Sequence, residues 1–280
     1  MNTYFVLPTL FAIIILCGCK KENRINNTTS GEKLKRISQY RPSLASTLFN
    51  DYYYDLQNRV IEIIEYEKTN TGDSIPIDRA LFYYTGADSL PARLHKLTNN
   101  IWHDFVYDAQ KKLIKDSITK IINPLPITGR ATFEYYTNYH LCYHSQPSSG
   151  SGSTTKDSLI FLNNNLKYMR TSFDIYYSFP PIEYLEHDYE QYDNKKNPVY
   201  FLNIGEFYYN YRIANTGVSI PAEIFYSKNN PIKRNSYDSF MNTHFQSGIV
   251  SYTYNTNDLP IKKVEVKNND TIYVTTYMYE

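Results

Sequence analysis

The twelve residues from Tyr52 to Ile63, YYYDLQNRVIEI, recur in varied form along most of the chain. Each copy has an aromatic residue, a Tyr, a polar stretch that Asp or Asn opens, and then aliphatic residues. Tyr, Val and Ile favour a pleated, half-buried surface, and an Asx side chain can start a turn by bonding nearby backbone. The segment therefore predicts strand, turn and strand, with Asn58 at a turn position that requires positive φ.

The spacing of the copies predicts the architecture. Phe105–Ile114 is the best second copy and aligns without a gap. A step of 23 to 34 residues separates successive repeating positions, which are Tyr54, Tyr84, Tyr107, Tyr136, Leu162, Tyr192, Tyr226, Tyr254 and Tyr279, with Asp55, Asp108 and Asp193 following three of them. Each step has room for one hairpin. We predict an all-β fold, a large antiparallel meander of about eight repeated hairpins curled into a shell or barrel-like sheet and completed by a closing C-terminal strand.

The last predicted strand, residues 272–279, has two unlike faces. Its even positions include Ile, Val and Met, whereas its odd positions are Tyr, Thr, Tyr and Tyr. Such alternation is typical of a strand with one buried face and one wet face. We expect the aliphatic side chains to form the core and the tyrosines to face water.

The N-terminus carries the features of a secretory signal. An apolar run from Val6 to Leu16 is too short for a transmembrane helix and is followed by Cys17-Gly18-Cys19. The run LCGC at 16–19 resembles the lipobox of bacterial lipoproteins, in which the Cys after a small residue receives the lipid and becomes the mature N-terminus. The resemblance gives that role to Cys19. The alternatives are an uncleaved anchor or a plain signal peptide.

Three regions follow from this assignment. Residues 1–19 are the signal peptide, residues 20–35 are a polar, flexible tether, and residues 36–280 are a single repeat domain. With Cys17 removed and Cys19 acylated, Cys142 alone remains, which excludes an internal disulfide and a Cys-based zinc site. We expect the lipid to hold the protein on the outer membrane, at its periplasmic or its surface face.

The repeat also resembles a known motif. The segment Tyr54-Asp55-Leu56-Gln57-Asn58-Arg59-Val60 resembles the YD repeats of RHS-type proteins, where Gly usually occupies the position of Asn58. A lipobox followed by Tyr-rich hairpins resembles uncharacterised lipoprotein families of Gram-negative bacteria. The resemblance implies a long antiparallel sheet of successive hairpins, and it implies no catalytic residue.

Few residues have the spacing that a metal site or a catalytic site requires. His140 and His144 would lie about 13 Å apart on a strand, too far for one metal ion. The neighbours 187–188 and 103–104 would face opposite sides of a strand, so neither makes a base and its orienting carboxylate. A nucleophile elbow, a P-loop and a dinucleotide fingerprint are absent from the sequence. We predict a protein that is not an enzyme and needs no cofactor or metal.

A small pattern, Asp-Ser/Thr-aliphatic, occurs five times. It resembles the acceptor motif for O-glycosylation of exported proteins in some Gram-negative bacteria. The candidate acceptors are Ser74, Ser89, Ser117, Ser158 and Thr271. The alternative is that Asp and Ser leave a turn while the aliphatic residue enters a strand.

The net charge and the aromatic content limit the classes of partner that the protein can bind. The net charge of +1 argues against nucleic acid, and the polar residues at outward positions argue against a transmembrane barrel. The 30 tyrosines either stabilise the sheet through cross-strand pairs or stack on sugar rings. We therefore expect a lipid-anchored extracytoplasmic binding or structural protein of the bacterial envelope, whose partner is a glycan or another envelope protein. The alternative is glycan binding or hydrolysis on a Tyr-lined concave face.

Overall fold

The computed structural model describes residues 31–121, 126–145, 154–174, 183–202, 227–239, 241–246 and 248–280. Two 3-10 turns, Pro42–Leu44 and Tyr200–Leu202, lie in these ranges, and no helix there has the length and apolar character that crossing a bilayer requires. The described residues form seventeen strands: β1 Leu34–Arg41, β2 Ser46–Tyr54, β3 Val60–Lys68, β4 Ser74–Tyr83, β5 Arg93–Lys96, β6 Ile101–Tyr107, β7 Leu113–Ile121, β8 Pro126–Tyr135, β9 Tyr139–Ser145, β10 Thr154–Leu162, β11 Asn165–Asp174, β12 Glu183–Lys196, β13 Asn229–Asp238, β14 Thr243–Gln246, β15 Ile249–Tyr254, β16 Pro260–Lys267 and β17 Asp270–Tyr279.

All seventeen strands belong to one antiparallel meander. Consecutive strands pair with each other from β1 through β14 and again from β15 through β17. β17 also pairs with β1, in a register that places Tyr277 opposite Ile37. The first and last strands therefore meet, and the sheet is curled. The predicted all-β meander of hairpins and its closing C-terminal strand are confirmed.

The ordered domain begins earlier than predicted. Lys33 and Glu280 exchange two backbone hydrogen bonds of 2.9 Å, and β1 starts at Leu34. The predicted boundary at residue 36 therefore falls inside β1, because Lys33 and Leu34 already pair with the C-terminal strand.

One face of the sheet, the inner face, carries the buried side chains. Close to the repeat turns it is apolar, with a layer that includes Tyr52, Ile63, Phe82, Leu94, Phe105, Leu113, Leu159 and Met169. One step further from the turns it is polar, with a layer made by Asn50, Glu65, Asp78, Lys96, His103, Asp116, Asp157 and Thr171. The inner face thus combines an apolar core with a buried belt of polar and charged groups.

The structure reverses the predicted faces of β17. Thr275 is buried and Tyr277 packs against the core, whereas Met278 is 50% exposed. The prediction that the aliphatic face would be the core is wrong. Tyr can fill an inner face because its ring supplies apolar area while its hydroxyl reaches a polar partner.

The repeat turns have the predicted local geometry. In the first copy the Asp55 carboxylate accepts hydrogen bonds from the backbone N–H of Gln57 and Arg59, both at 2.9 Å. Asn58 has φ of 62°, as predicted, and Lys111 occupies the matching position of the second copy with φ of 60°. An Asx side chain thus closes the turn, and one residue in the left-handed region reverses the chain.

Candidate functional site

Five of the tyrosines at the repeating position bond the backbone. Each donates its hydroxyl hydrogen to a carbonyl at or just before the start of the preceding strand: Tyr54 to Leu34 at 2.6 Å, Tyr84 to Val60 at 2.7 Å, Tyr107 to Pro91, Tyr192 to Leu166 at 2.5 Å and Tyr279 to Pro260 at 2.8 Å. Burial raises the pKa of Tyr54, Tyr84 and Tyr279 above its usual value. These phenols are therefore neutral structural donors.

Two of these tyrosines line a cavity at the end of the sheet that carries the repeat turns. This end cavity has a volume of about 250 Å³. Its apolar wall includes Leu34, Val60, Phe201, Leu202 and Leu259, next to the rings of Tyr54 and Tyr279. This volume is below the common range for ligand pockets of roughly 300–1,000 Å³, so the cavity has room only for a molecule smaller than most such ligands.

Charged side chains edge the end cavity. The Glu32 carboxylate accepts hydrogen bonds from the side-chain amides of Asn255 at 2.9 Å and Asn257 at 2.8 Å. The Lys33 ammonium lies 5.7 Å from the centre of the Tyr54 ring, and Lys196 is a further lining residue. The cavity therefore offers an apolar wall with cations and a fixed carboxylate at its edge, an arrangement that can hold a molecule with an apolar body and a polar end.

The other predicted residues are spread over the molecule. The Tyr254 hydroxyl donates to the Asp193 carboxylate, and Asp108 closes the second repeat turn as Asp55 closes the first. Cys19 and Tyr226 lie outside the described residues. Among the candidate acceptors for O-glycosylation, Ser74, Ser89 and Thr271 are exposed, while Ser117 and Ser158 are half-buried in strands β7 and β10.

The Asp residues before those last two serines are not in turns. Asp116 and Asp157 point inward from the strands and are fully buried. The turn-to-strand interpretation of the Asp-Ser-aliphatic pattern therefore fails at these two positions, although it describes Ser74 at the start of β4. Glycosylation at any of the five residues stays a prediction.

Two pairs of ionisable side chains in the polar belt join residues that the sequence did not connect. His103 Nδ1 donates to Asp116 Oδ2 at 2.9 Å, and the Lys96 ammonium lies 3.3 Å from the Asp78 carboxylate. His103 Nε2 and Asp116 Oδ1 have no hydrogen-bond partner. Burial lowers the pKa of Lys96 to about 8, although the Asp78 carboxylate opposes that shift.

The pair of His103 and Asp116 has the form of a base and its orienting carboxylate. Both side chains are fully buried, so the pair as it stands cannot contact a substrate. Trp102 and Asp104, its neighbours along β6, face the opposite side of the sheet, as strand alternation requires. In the described part of the chain, no three His, Cys, Asp or Glu residues are grouped so that they could hold a metal ion.

Comparisons with known proteins identify a similar fold. No protein-family model and no curated protein matches the chain. A porin-like protein from Bacteroides vulgatus is similar with a TM-score of 0.57 and 9% identity, over 89% of this chain and 98% of that one. A porin-like protein from Bacteroides uniformis is similar with a TM-score of 0.52 and 11% identity, over 88% and 96% of the two chains. At such low identity these similarities describe the fold alone.

Proposed function

We propose that this chain is a lipid-anchored, extracytoplasmic binding protein of the bacterial envelope, and that a small ligand occupies the end cavity. The observation that carries the proposal is the position of the cavity, which Gly31, Glu32 and Lys33 line. Residues 20–30 connect this wall to Cys19 and span at most about 40 Å when extended. The ligand site would thus lie at the end of the domain closest to the membrane.

Two further observations support an envelope location. The similar solved structures are porin-like proteins of Bacteroides. The outer face, opposite the inner face, carries cross-strand charged pairs such as Arg36 with Asp51 and Arg93 with Asp104. Charged pairs favour contact with water over contact with acyl chains, which is consistent with a domain that a lipid tethers to the membrane.

Lipidation can be tested by metabolic labelling with an alkyne-bearing fatty acid, followed by membrane fractionation. We expect label and membrane attachment in the wild-type protein and in the Cys142→Ser control, since Cys142 is a buried thiol. Cys19→Ala should lose both. Label that persists in Cys19→Ala, or a wild-type protein without label, would refute the anchor.

The end cavity can be tested by thermal-shift measurements with monosaccharides, amino acids and short carboxylic acids. A ligand of the cavity should raise the Tm of the wild-type protein and leave that of Leu202→Trp unchanged, because the larger ring fills the space. Leu44→Trp is the matched control, since Leu44 is 61% exposed and lies in the turn between β1 and β2, at the opposite end of these strands from the lining residues Leu34 and Tyr54. Shifts of equal size in all three proteins would exclude the end cavity as the binding site.

The proposal includes no catalytic step. Outside the end cavity, the described strands form no open Tyr-lined concave surface, because the inner face is packed and repeat tyrosines such as Tyr54 and Tyr84 donate to backbone carbonyls. A glycan site on that face is therefore not supported. The outer face offers a different site for the same class of ligand.

A further inference from the structure

We propose that a stacked aromatic cluster on the outer face of strands β4, β5 and β6, centred on Trp102, binds the pyranose rings of neutral glycans. This cluster consists of Tyr83, Arg93, His95, Trp102 and Asp104. The inference deepens the proposed binding role by adding a second site and naming its ligand class. It does not depend on what occupies the end cavity.

The cluster is built by cross-strand register. His95 on β5 is directly opposite Trp102 on β6, and their rings stack with centroids 3.7 Å apart and planes 10° apart. Tyr83 on β4 reaches across β5 to place its ring 6.1 Å from that of Trp102, at an interplanar angle of 26°. The Arg93 guanidinium lies 5.2 Å from the centre of the Trp102 ring. Three strands thus assemble nearly parallel rings that face away from the core.

Part of the cluster is open to solvent, while His95 and Trp102 are half-buried. Tyr83 is 42% exposed, and the Arg93 and Asp104 side chains are 50% and 46% exposed. A second outer-face stack, Phe49 on Tyr66, has a less exposed charged pair beside it, since the Arg36 and Asp51 side chains are 34% and 13% exposed. There Arg36 lies 5.4 and 6.0 Å from the two ring centres, and two hydrogen bonds to Asp51 at 2.5 and 2.7 Å hold it in place.

Polar groups surround the rings of the cluster. Arg93 Nε donates to Asp104 Oδ1 at 2.6 Å, and His95 Nε2 donates to Asn100 Oδ1 at 3.1 Å. The Arg93 guanidinium has further N–H donors, and the Asp104 carboxylate has a second acceptor oxygen. Donors and acceptors therefore sit beside an apolar aromatic surface.

This combination matches the chemistry of a pyranose. A sugar ring presents a face of C–H groups that packs on an aromatic ring and a rim of hydroxyls that both donate and accept hydrogen bonds. The charges of Arg93 and Asp104 balance each other, so the cluster attracts neither polyanions nor polycations strongly. The geometry points to neutral polysaccharides in preference to anionic glycans or nucleic acids.

Trp102 also provides the assay, since it is the sole tryptophan of the sequence. The full-length protein, purified in a detergent without a sugar head group, is titrated with dextran, mannan, starch and xylan, and with polygalacturonate as an anionic probe. Tryptophan fluorescence and affinity gel electrophoresis are recorded. We expect at least one neutral polysaccharide to change the Trp102 emission saturably and to retard the protein, and polygalacturonate to do neither.

Variants separate this site from other surfaces. In gels, Trp102→Ala should abolish retardation, and Asp104→Asn, which preserves shape, should weaken it about tenfold by removing a charged acceptor. Phe49→Ala in the second outer-face stack should bind like wild type, and so should Leu202→Trp, in which the end cavity is filled. Circular dichroism checks that each variant is folded.

Several outcomes would overturn the proposal. They are no response to any of the neutral polysaccharides, a response to polygalacturonate alone, and retardation that Asp104→Asn leaves at the wild-type strength. Loss of retardation in Leu202→Trp but not in Asp104→Asn would assign glycan binding to the end cavity instead. Failure of lipid labelling leaves these results unaffected, so the two proposals fail independently.

Discussion

The hydroxyl of Tyr54 donates a 2.6 Å hydrogen bond to the backbone carbonyl of Leu34, the first residue of β1. Leu34 is paired on its other side with Tyr279 of β17. The bond therefore joins the first repeat unit to the seam where the first and last strands meet. The same bond, from a tyrosine to the preceding strand, recurs at Tyr84, Tyr192 and Tyr279.

Removing this hydroxyl should weaken the seam. Tyr54→Phe keeps the ring but leaves the Leu34 carbonyl without that donor, so we expect the free energy of unfolding to fall by about 1–2 kcal/mol. Urea denaturation measures the change. Tyr40→Phe is the matched control because Tyr40 is 44% exposed, and it should change stability little. Equal losses in both variants would contradict a specific role for the Tyr54 bond.

The positive φ of Asn58 leads us to predict how substitutions at this position change stability. Its backbone lies in the left-handed region with φ of 62°, where a β-branched side chain is strained. Asn58→Val should lower the free energy of unfolding by about 1–3 kcal/mol, whereas Asn58→Gly should preserve or raise it. The control is Leu56→Val in the same turn, because Leu56 is fully exposed. A Val substitution tolerated equally at both positions would show that the turn adjusts.

The local parts of this fold could be predicted from sequence because their causes are local. Asp55 and Asn58 lie within one turn, and the bonds that define the turn join residues four positions apart or fewer. Strand β17 was also predictable, since its residues repeat the opening half of the unit. Period and turn chemistry therefore sufficed for the fold class.

The interior could not be predicted in the same way. Alternation in β17 separates two faces but does not say which one is buried, and a Tyr-rich face can be either. The pairs of Lys96 with Asp78 and His103 with Asp116 depend on strand register, which one sequence does not display. The rings of the Trp102 cluster come from three strands, so this cluster also depends on strand register and could not be predicted from the sequence.

The buried pair of His103 and Asp116 should behave as one unit. His103→Leu leaves the Asp116 carboxylate buried without its donor, and we expect a loss of about 3–5 kcal/mol in the free energy of unfolding. The double variant His103→Leu with Asp116→Leu should recover most of that loss, because it removes both polar groups together. Urea denaturation of both single variants and the double variant gives the coupling. Additive losses would show that the two residues act separately.

His187 should make stability depend on pH. It is partly buried, His187 Nδ1 is 2.6 Å from Ser236 Oγ, and burial together with the charge of Arg234 lowers the pKa of His187 from 6.5 to about 3. The folded state therefore holds His187 neutral at pH values where the unfolded chain is already protonated. This contribution to stability is fully present above pH 6.5 and is lost as the pH falls towards 3, by about 3 kcal/mol between pH 6.5 and 4. His187→Gln cannot titrate, so its urea midpoint should fall less over that range, while the outer-face control His95→Gln should follow the wild type. Identical pH profiles for His187→Gln and the wild type would show that His187 is not buried as a neutral group.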